Sequence, residues 1–297
     1  MKGLLIVISI LFQISPVYAN GLGTKGGIIL SYPVGAQAIG MGEAFVGVAQ
    51  GVNAIYWNPA GLVSLESKEF TGYYLDGLVD ANYKFMGYAQ PMRFGVIGCG
   101  ISNLDGGKAT IYNTDGTTKN VTAQTDYIFM ISYANKVREN LSFGGNIKLI
   151  QSELGETSKA DAFACDLGGL YNIPAKNLKI GVAIQNMGTE IKYEEEGDPL
   201  PLNIKLGTAY RFNNLLLALD INKPIENKLR FNIGGEYWIA KIMALRAGYK
   251  FKQEGSGSDT GLTAGIGFKI SNYRFDYAYV PYGNLDNTHQ VSLTARF

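Results

Sequence analysis

From about residue 69 to the end, the chain breaks into short segments in which apolar and polar side chains alternate, separated by clusters of Gly, Asn, Asp and Pro. The last segment shows the rhythm most plainly: Val291, Leu293, Ala295 and Phe297 alternate with Gln290, Ser292, Thr294 and Arg296. The same period of two sets Leu245, Ala247, Tyr249 and Phe251 against Arg246, Gly248 and Lys250, and Tyr273, Phe275, Tyr277 and Tyr279 against Arg274 and Asp276. It recurs at Leu229, Phe231 and Ile233 against Arg230 and Asn232, at Ile204 and Leu206 against Lys205 and Gly207, and at Leu178, Ile180 and Val182 against Lys179. Further upstream, Leu141, Phe143, Ile147 and Leu149 oppose Ser142, Asn146 and Lys148. Successive side chains of a strand point to opposite sides, so each segment predicts a strand with one greasy and one wet face. About fourteen such segments can be counted, an even number of the kind single-chain bacterial barrels have. The rhythm is weaker over residues 69–75 and 94–101.

Alternation alone fits a soluble sandwich as well as a membrane barrel, because both have one apolar strand face. The connections separate the two. A barrel whose last strand ends in the periplasm should have long connections outside and short ones inside, in strict alternation. The expected outside connections are residues 104–125, 153–159, 187–202, 253–259 and 281–288, all rich in Gly, Asp, Asn, Ser or Thr. The inside ones are tight: 91–93, 213–214, 240–242 and 271–272, with 135–140 and 172–177 slightly longer. A sandwich has no reason to sort connections this way, so the expected fold is an all-β transmembrane antiparallel barrel of about fourteen strands over residues 68–297.

Composition supports strands over helices. The 297 residues include 38 Gly, 19 Tyr and 14 Phe, with 17% charged. After the N-terminus no run approaches the ~18 consecutive apolar residues of a membrane helix. Residues 1–19 read as a cleaved secretory signal, with Lys2, an apolar stretch at 4–12, and Val17-Tyr18-Ala19 as the small-x-small site. Tyrosines near the segment ends (Tyr73, Tyr83, Tyr133, Tyr171, Tyr193, Tyr210, Tyr237, Tyr273) suit an interfacial girdle, since their rings are apolar in body and polar at the tip. Cys99 and Cys165 are too few for a disulfide framework and read as small apolar fillers on strands.

Residues 20–67 are different in kind. They are Gly- and Ala-rich, too irregular for membrane strands and too apolar for water. A plug (hatch) folded inside the barrel satisfies both constraints, because irregular backbone at membrane depth is tolerated only where protein or lumen water surrounds it. Its Asn58-Pro59-Ala60-Gly61 motif predicts a turn, with Pro59 holding Asn58 extended and Gly61 supplying freedom after it.

At this motif the chain resembles a known family. GAQAIGMGEAFVGVAQGVNAIYWNPAGL (residues 35–62) is similar to the N-terminal motif of the PorV/PorQ family, within the superfamily of FadL-type (OMPP1/FadL/TodX) barrels. Residues 198–212, 234–251 and 275–293 resemble the same family in the same order. The resemblance implies a fourteen-stranded outer-membrane barrel plugged by its N-terminal segment. It further implies one of two activities: PorV-type handling of exported proteins in type IX secretion, or FadL-type inward movement of hydrophobic molecules such as long-chain fatty acids. The sequence departs from the common motif at Glu43, where Gly is usual, and at Gln50-Gly51, where acidic residues are frequent.

Chemistry for catalysis is sparse. His289 is the single histidine, and no Cys-x-x-Cys pair, phosphate-cradling glycine loop or His-Glu-x-x-His motif is present, so no enzyme, cofactor or metal site is expected. The carboxylates Glu194, Glu195, Glu196 and Asp198 read as a solvated outer loop. The net charge of +1 gives no footprint for nucleic acid. The wet faces would line the lumen with Lys148, Arg230, Glu236, Arg246, Lys250, Arg274, Asp276 and Arg296. Val291, Leu293, Ala295 and Phe297 would form the C-terminal signal read by the barrel-assembly machinery. The partners expected are outer-membrane lipid, that machinery, and either exported proteins or hydrophobic small molecules as cargo, with both mature termini periplasmic. A structural barrel without cargo is the remaining alternative. The mature polypeptide is therefore expected to fractionate with membranes and to need detergent for extraction; recovery in the soluble periplasmic fraction would refute the barrel.

Overall fold

The computed structural model describes residues 26–297 apart from 78–79, 113–114, 156, 226, 252–260 and 282–286. The expected signal peptide and the connection at 253–259 lie outside the described residues. The strands are β1 (Glu69–Asp76), β2 (Asn82–Met92), β3 (Gly95–Asp105), β4 (Lys108–Tyr112), β5 (Thr118–Thr122), β6 (Gln124–Arg138), β7 (Leu141–Leu154), β8 (Ser158–Ile173) and β9 (Leu178–Gly188). They continue as β10 (Ile191–Lys192), β11 (Gly197–Asp198), β12 (Asn203–Phe212), β13 (Leu215–Pro224), β14 (Arg230–Ile239), β15 (Met243–Lys250), β16 (Leu262–Ile270), β17 (Tyr273–Pro281) and β18 (Asn287–Arg296).

Fourteen of them form a closed barrel in which each pairs antiparallel with its neighbours, and β1 meets β18 from Glu69↔Arg296 to Asp76↔His289. Closure leaves no sheet edge, which is what lets a strand protein sit in hydrocarbon. The other four make two small hairpins, β4–β5 and β10–β11, within the long connections. One end of the barrel carries only tight turns, at 93–94, 139–140, 174–177, 213–214, 240–242 and 271–272, together with the C-terminus. The opposite end carries the two hairpins and the long connections, but the one expected at 153–159 is short, because β7 and β8 extend to Leu154 and from Ser158.

The usual distribution of a soluble protein is inverted. Ile131 and Ile147 sit opposite each other at 67% and 68% exposure, surrounded by Phe129, Phe163 and Leu167 on the same outer face. Lys148, Asp166, Asp220, Glu236, Arg246 and Asp276 point inward and are buried. Cys99 and Cys165 are unpaired and exposed on the outer surface. Tyr133, Tyr171, Tyr210, Tyr237 and Tyr273 are exposed on the outside toward the short-turn end. Three of the expected girdle tyrosines are not there: Tyr73 and Tyr83 point inward and are buried, their rings T-shaped with centroids 6.1 Å apart, and Tyr193 lies in a long connection against Ser152.

The weak rhythm of β1 and β3 has a physical reason. In β1–β3 many inward positions are themselves apolar, with Tyr73, Leu75, Tyr83, Phe85, Ala89, Val96 and Leu104 all buried in a core shared with residues 29–65, beside the polar Glu69, Thr71 and Ser102. A strand that is greasy on both faces loses its period of two. Because the outer face of β6 and β7 looks onto hydrocarbon, Ile131→Arg is expected to destabilise the folded barrel in lipid vesicles by about 2–4 kcal/mol if it lies near the midplane. Urea titration in vesicles measures this, and an unchanged midpoint would show that this face is not immersed.

Candidate functional site

Residues 26–67 run through short helical turns at Ile28–Ser31, Ala36–Gly40, Ala54–Trp57 and Pro59–Ser64. None is long enough to satisfy its own backbone, so the unpaired amides and carbonyls need partners. The barrel wall supplies them from its inward-facing side chains. Asp220 accepts from the amides of Phe45 (2.7 Å) and Val46 (2.8 Å), Glu69 from Val52 (2.8 Å), Ser292 from Ala36 (2.9 Å) and Thr263 from Gly42 (2.9 Å). Carbonyls are read in the same way: Asn146 donates to Ile55, Gln185 to Tyr56 and Trp57, and Ser142 to Ala60. Acceptor oxygens on charged carboxylates make the stronger of these bonds.

Close approach of segment and wall depends on glycines at facing positions. Gly144 lies opposite Gly168, Gly181 opposite Gly207, and Gly234 opposite Gly248, each pair leaving a bare patch of inner wall. Across the first lie Pro59 and Ala60: a Cβ on Gly144 would sit 2.6 Å from the Ala60 amide. Across the second lies Gly47, whose own Cβ would sit 2.8 Å from the Thr208 backbone; across the third, Met41–Gly42 would be overlapped by a side chain on either glycine. The segment's side chains then fill the space between these contacts. Trp57 packs edge-on against Phe45 (6.0 Å) and Tyr56 (5.0 Å) and donates from Nε1 to the Val34 carbonyl, while the Lys205 ammonium lies 4.9 Å above the Trp57 ring.

The Asn58-Pro59-Ala60-Gly61 motif joins the segment to β8. Asn58 is extended (φ −163°) and fully buried, and its Oδ1 accepts from the Ala60 amide while Nδ2 donates to the Val46 and Gly169 carbonyls. Gly61 serves a different need from the one expected. It does not have a left-handed φ; a side chain there would collide with the Ala49 carbonyl. The two departures from the common motif also have local explanations. Glu43 holds a left-handed φ of 62°, where Gly costs least, and its carboxylate pairs with Lys250 at 2.9 Å. At Gly51 (φ 62°) any side chain would overlap the Glu69 carboxylate, so an acidic residue would bring like charge onto it.

The eight residues expected to line the lumen all fall on inward-facing strand positions, but in four settings. Glu236, Arg246, Asp276 and Arg274 form one chain of ion pairs, each contact 2.8 Å, which Gln37 of the segment joins by donating to Glu236. Lys148 pairs with Asp166 (2.7 Å) and donates to Asn186, where β9 bulges with φ 62°. Lys250 and Arg296 pair with Glu43 and Glu69. Arg230 shares the inward parity of Asn232 and is exposed at the long-connection end. Val291, Leu293, Ala295 and Phe297 lie on the outer side of the last strand and beyond its end, with Leu293 and Phe297 exposed. His289 faces out, its Nδ1 2.7 Å from the Tyr277 hydroxyl and away from the lumen. Among the described residues no group of three His, Cys, Asp or Glu is placed to hold a metal ion. Sequence reasoning missed Asp220, Glu69 and the facing glycines. The inward parity of Gly207, Gly234 and Gly248 was visible, but not which strands would set two glycines opposite each other.

The family model for type IX secretion system protein PorV matches residues 22–233. The fold is similar to that of the Ralstonia pickettii toluene transporter TbuX, with a TM-score of 0.63 at 16% identity over 89% of this chain and 98% of that one. It is likewise similar to the Pseudomonas putida toluene transporter TodX (0.64, 14%, 89% and 96%) and to a Pseudomonas aeruginosa FadL homologue (0.59, 12%, 89% and 98%). No curated protein sequence matches the chain.

Replacing Asp220 by Ala removes the acceptor of two backbone amides and is expected to weaken docking of residues 26–67 by about 3 kcal/mol. The readout is protease cleavage within 41–53, rising about a hundredfold while the heat-modifiable barrel band stays folded; an unchanged cleavage rate would show that Asp220 does not anchor the segment.

Proposed function

The chain belongs to the family of type IX secretion system protein PorV, and from that membership we propose that it serves protein export across the outer membrane, with residues 26–67 acting as a plug. The observation that carries this reading is an occupied lumen. Val34, Ala36, Ile39, Met41 and Phe45 lie inside the strands with at most 1% of their surface exposed, and Ala36, Gln37, Phe45 and Val52 bond to side chains of β18, β14, β13 and β1. A barrel filled in this way handles cargo at its ends and outer face more readily than through its centre. In this reading the short-turn end and both mature termini face the periplasm, following the general pattern of short inner turns and long outer loops. Val291, Leu293, Ala295 and Phe297 are then what the assembly machinery reads on the last strand.

A second reading, uptake of hydrophobic small molecules, is favoured by the fold shared with two toluene transporters and a FadL homologue. It requires the plug to shift, and the charged half of its contacts opposes that.

Deleting the gene and profiling the cell-surface proteome tests the export reading. The expected outcome is loss of a set of surface proteins that accumulate in the periplasm instead, with uptake of labelled toluene and long-chain fatty acid unaltered. An unchanged surface profile together with reduced uptake reverses the choice.

A further inference from the structure

Most inward-facing cations of the wall are neutralised by acids: Lys148 by Asp166, Arg246 by Glu236 and Asp276, Arg274 by Asp276, Lys250 by Glu43 and, at the short-turn mouth, Arg296 by Glu69. The buried Lys205 stands over the Tyr56 and Trp57 rings. Other cations of the short-turn mouth have no such acid among the described residues. Lys136, Lys179, Arg211 and Lys269 stand at the strand ends there, and among the described residues none of the four has an ion pair. Their register places them on the lumen side of the wall. Lys136 lies opposite Ser142, Lys179 opposite Ala209 and Arg211 opposite Leu216, all three of these partners buried and inward-facing. Lys269 lies opposite Arg274, a like charge already committed to Asp276.

Lys136, Lys179 and Lys269 line two recesses that flank the point where the segment leaves the lumen, and Arg211 borders neither. One, of about 180 Å³, has Lys136 and Lys179 together with Asn140 and Asn172; the other, of about 420 Å³, has Lys269 and Arg296 with Asn272 and Gln50. Glu139 borders the first and Glu66 the second, each without an ion pair among the described residues. Lys136, Lys179 and Lys269, standing without ion pairs beside amide side chains, suit carboxylates carried on an extended backbone, because Asn and Gln offer both donors and acceptors to peptide groups.

We propose that the short-turn mouth is a docking surface for an acidic polypeptide segment of a partner protein, whose carboxylates enter the two recesses. A phospholipid headgroup fits less well. It can reach outward-facing cations such as Arg138, which lies opposite Leu141, but not those behind the strands. The inference goes beyond the export reading and does not rest on it, since it holds for either direction of insertion.

The test uses the mature protein in detergent micelles and a fluorescein-labelled peptide of alternating Glu and Ser, read by fluorescence anisotropy. Expected are saturable binding that weakens with salt and a loss of at least about tenfold in affinity when Lys136, Lys179, Arg211 and Lys269 are all changed to Gln. Changing Lys108, Lys159, Lys192 and Lys228 to Gln, at the other end, should leave the affinity unaltered. In the wild type, which needs no variant to fold, the peptide should protect Lys136, Lys179 and Lys269 from acetylation. Equal affinity in the two variants, absence of protection, or displacement of the peptide by phosphatidylglycerol but not by unlabelled peptide would each overturn the proposal.

Discussion

A peptide chain without regular structure cannot sit at membrane depth unless something supplies hydrogen bonds to its backbone, and in this molecule that demand organises the whole interior. Residues 26–67 offer amides and carbonyls that their short helical turns leave open, and Asp220, Glu69, Thr263, Ser292, Asn146 and Gln185 of the wall meet them. These partners bond the main chain rather than particular side chains. The wall therefore fixes the path of the segment while leaving its side chains free to pack on one another, as Trp57, Phe45 and Tyr56 do.

The same requirement explains why the inner face is divided. Around β1–β3 the wall is largely apolar and packs on Ile29 and Tyr32, whose ring stacks on Tyr83 with centroids 5.4 Å apart. Around β12–β18 it is charged. Buried charges are tolerated best when paired and hydrogen-bonded. The ladder of Glu236, Arg246, Asp276 and Arg274 is ion-paired throughout, with Gln37 of the segment bonded into it. Within it Arg246 Nη2 and Asp276 Oδ1 meet as charges without hydrogen-bond geometry, and Arg246 Nη1 makes no hydrogen bond among the described residues. The strained φ of Glu43 belongs to the same logic. Its ion pair with Lys250 offsets a backbone conformation that a glycine would adopt freely.

Outside, the constraint is far looser. Hydrocarbon asks only that a residue be apolar, so Ile, Leu, Phe and Cys share that face without specific neighbours. This is consistent with a fold that superposes on the toluene transporters over 89% of the chain at 14–16% identity. The specific requirements lie inside: the glycine pairs, the backbone acceptors and Asn58, which ties the segment to the wall at Val46 and Gly169.

Strand alternation and the long and short connections were local patterns, so the barrel, its strand number and the inward side of Lys148, Glu236, Arg246 and Asp276 could be read from the order of residues alone. Each follows from a strand turning its side chains to opposite faces, which needs no knowledge of neighbours. Tyr73 and Tyr83 were misread because a tyrosine near a strand end looks the same whether the lumen beside it is wet or filled. The closing of β1 onto β18, the facing of Gly234 with Gly248 and the bonding of Asp220 to Phe45 and Val46 join positions far apart along the chain. Only the folded register decides which of many inward glycines and carboxylates meet. The net charge of +1 likewise concealed the ion pairs of the interior and the cations that, among the described residues, stand without one at the short-turn mouth, because a sum over the chain carries no information about where each charge finds its partner.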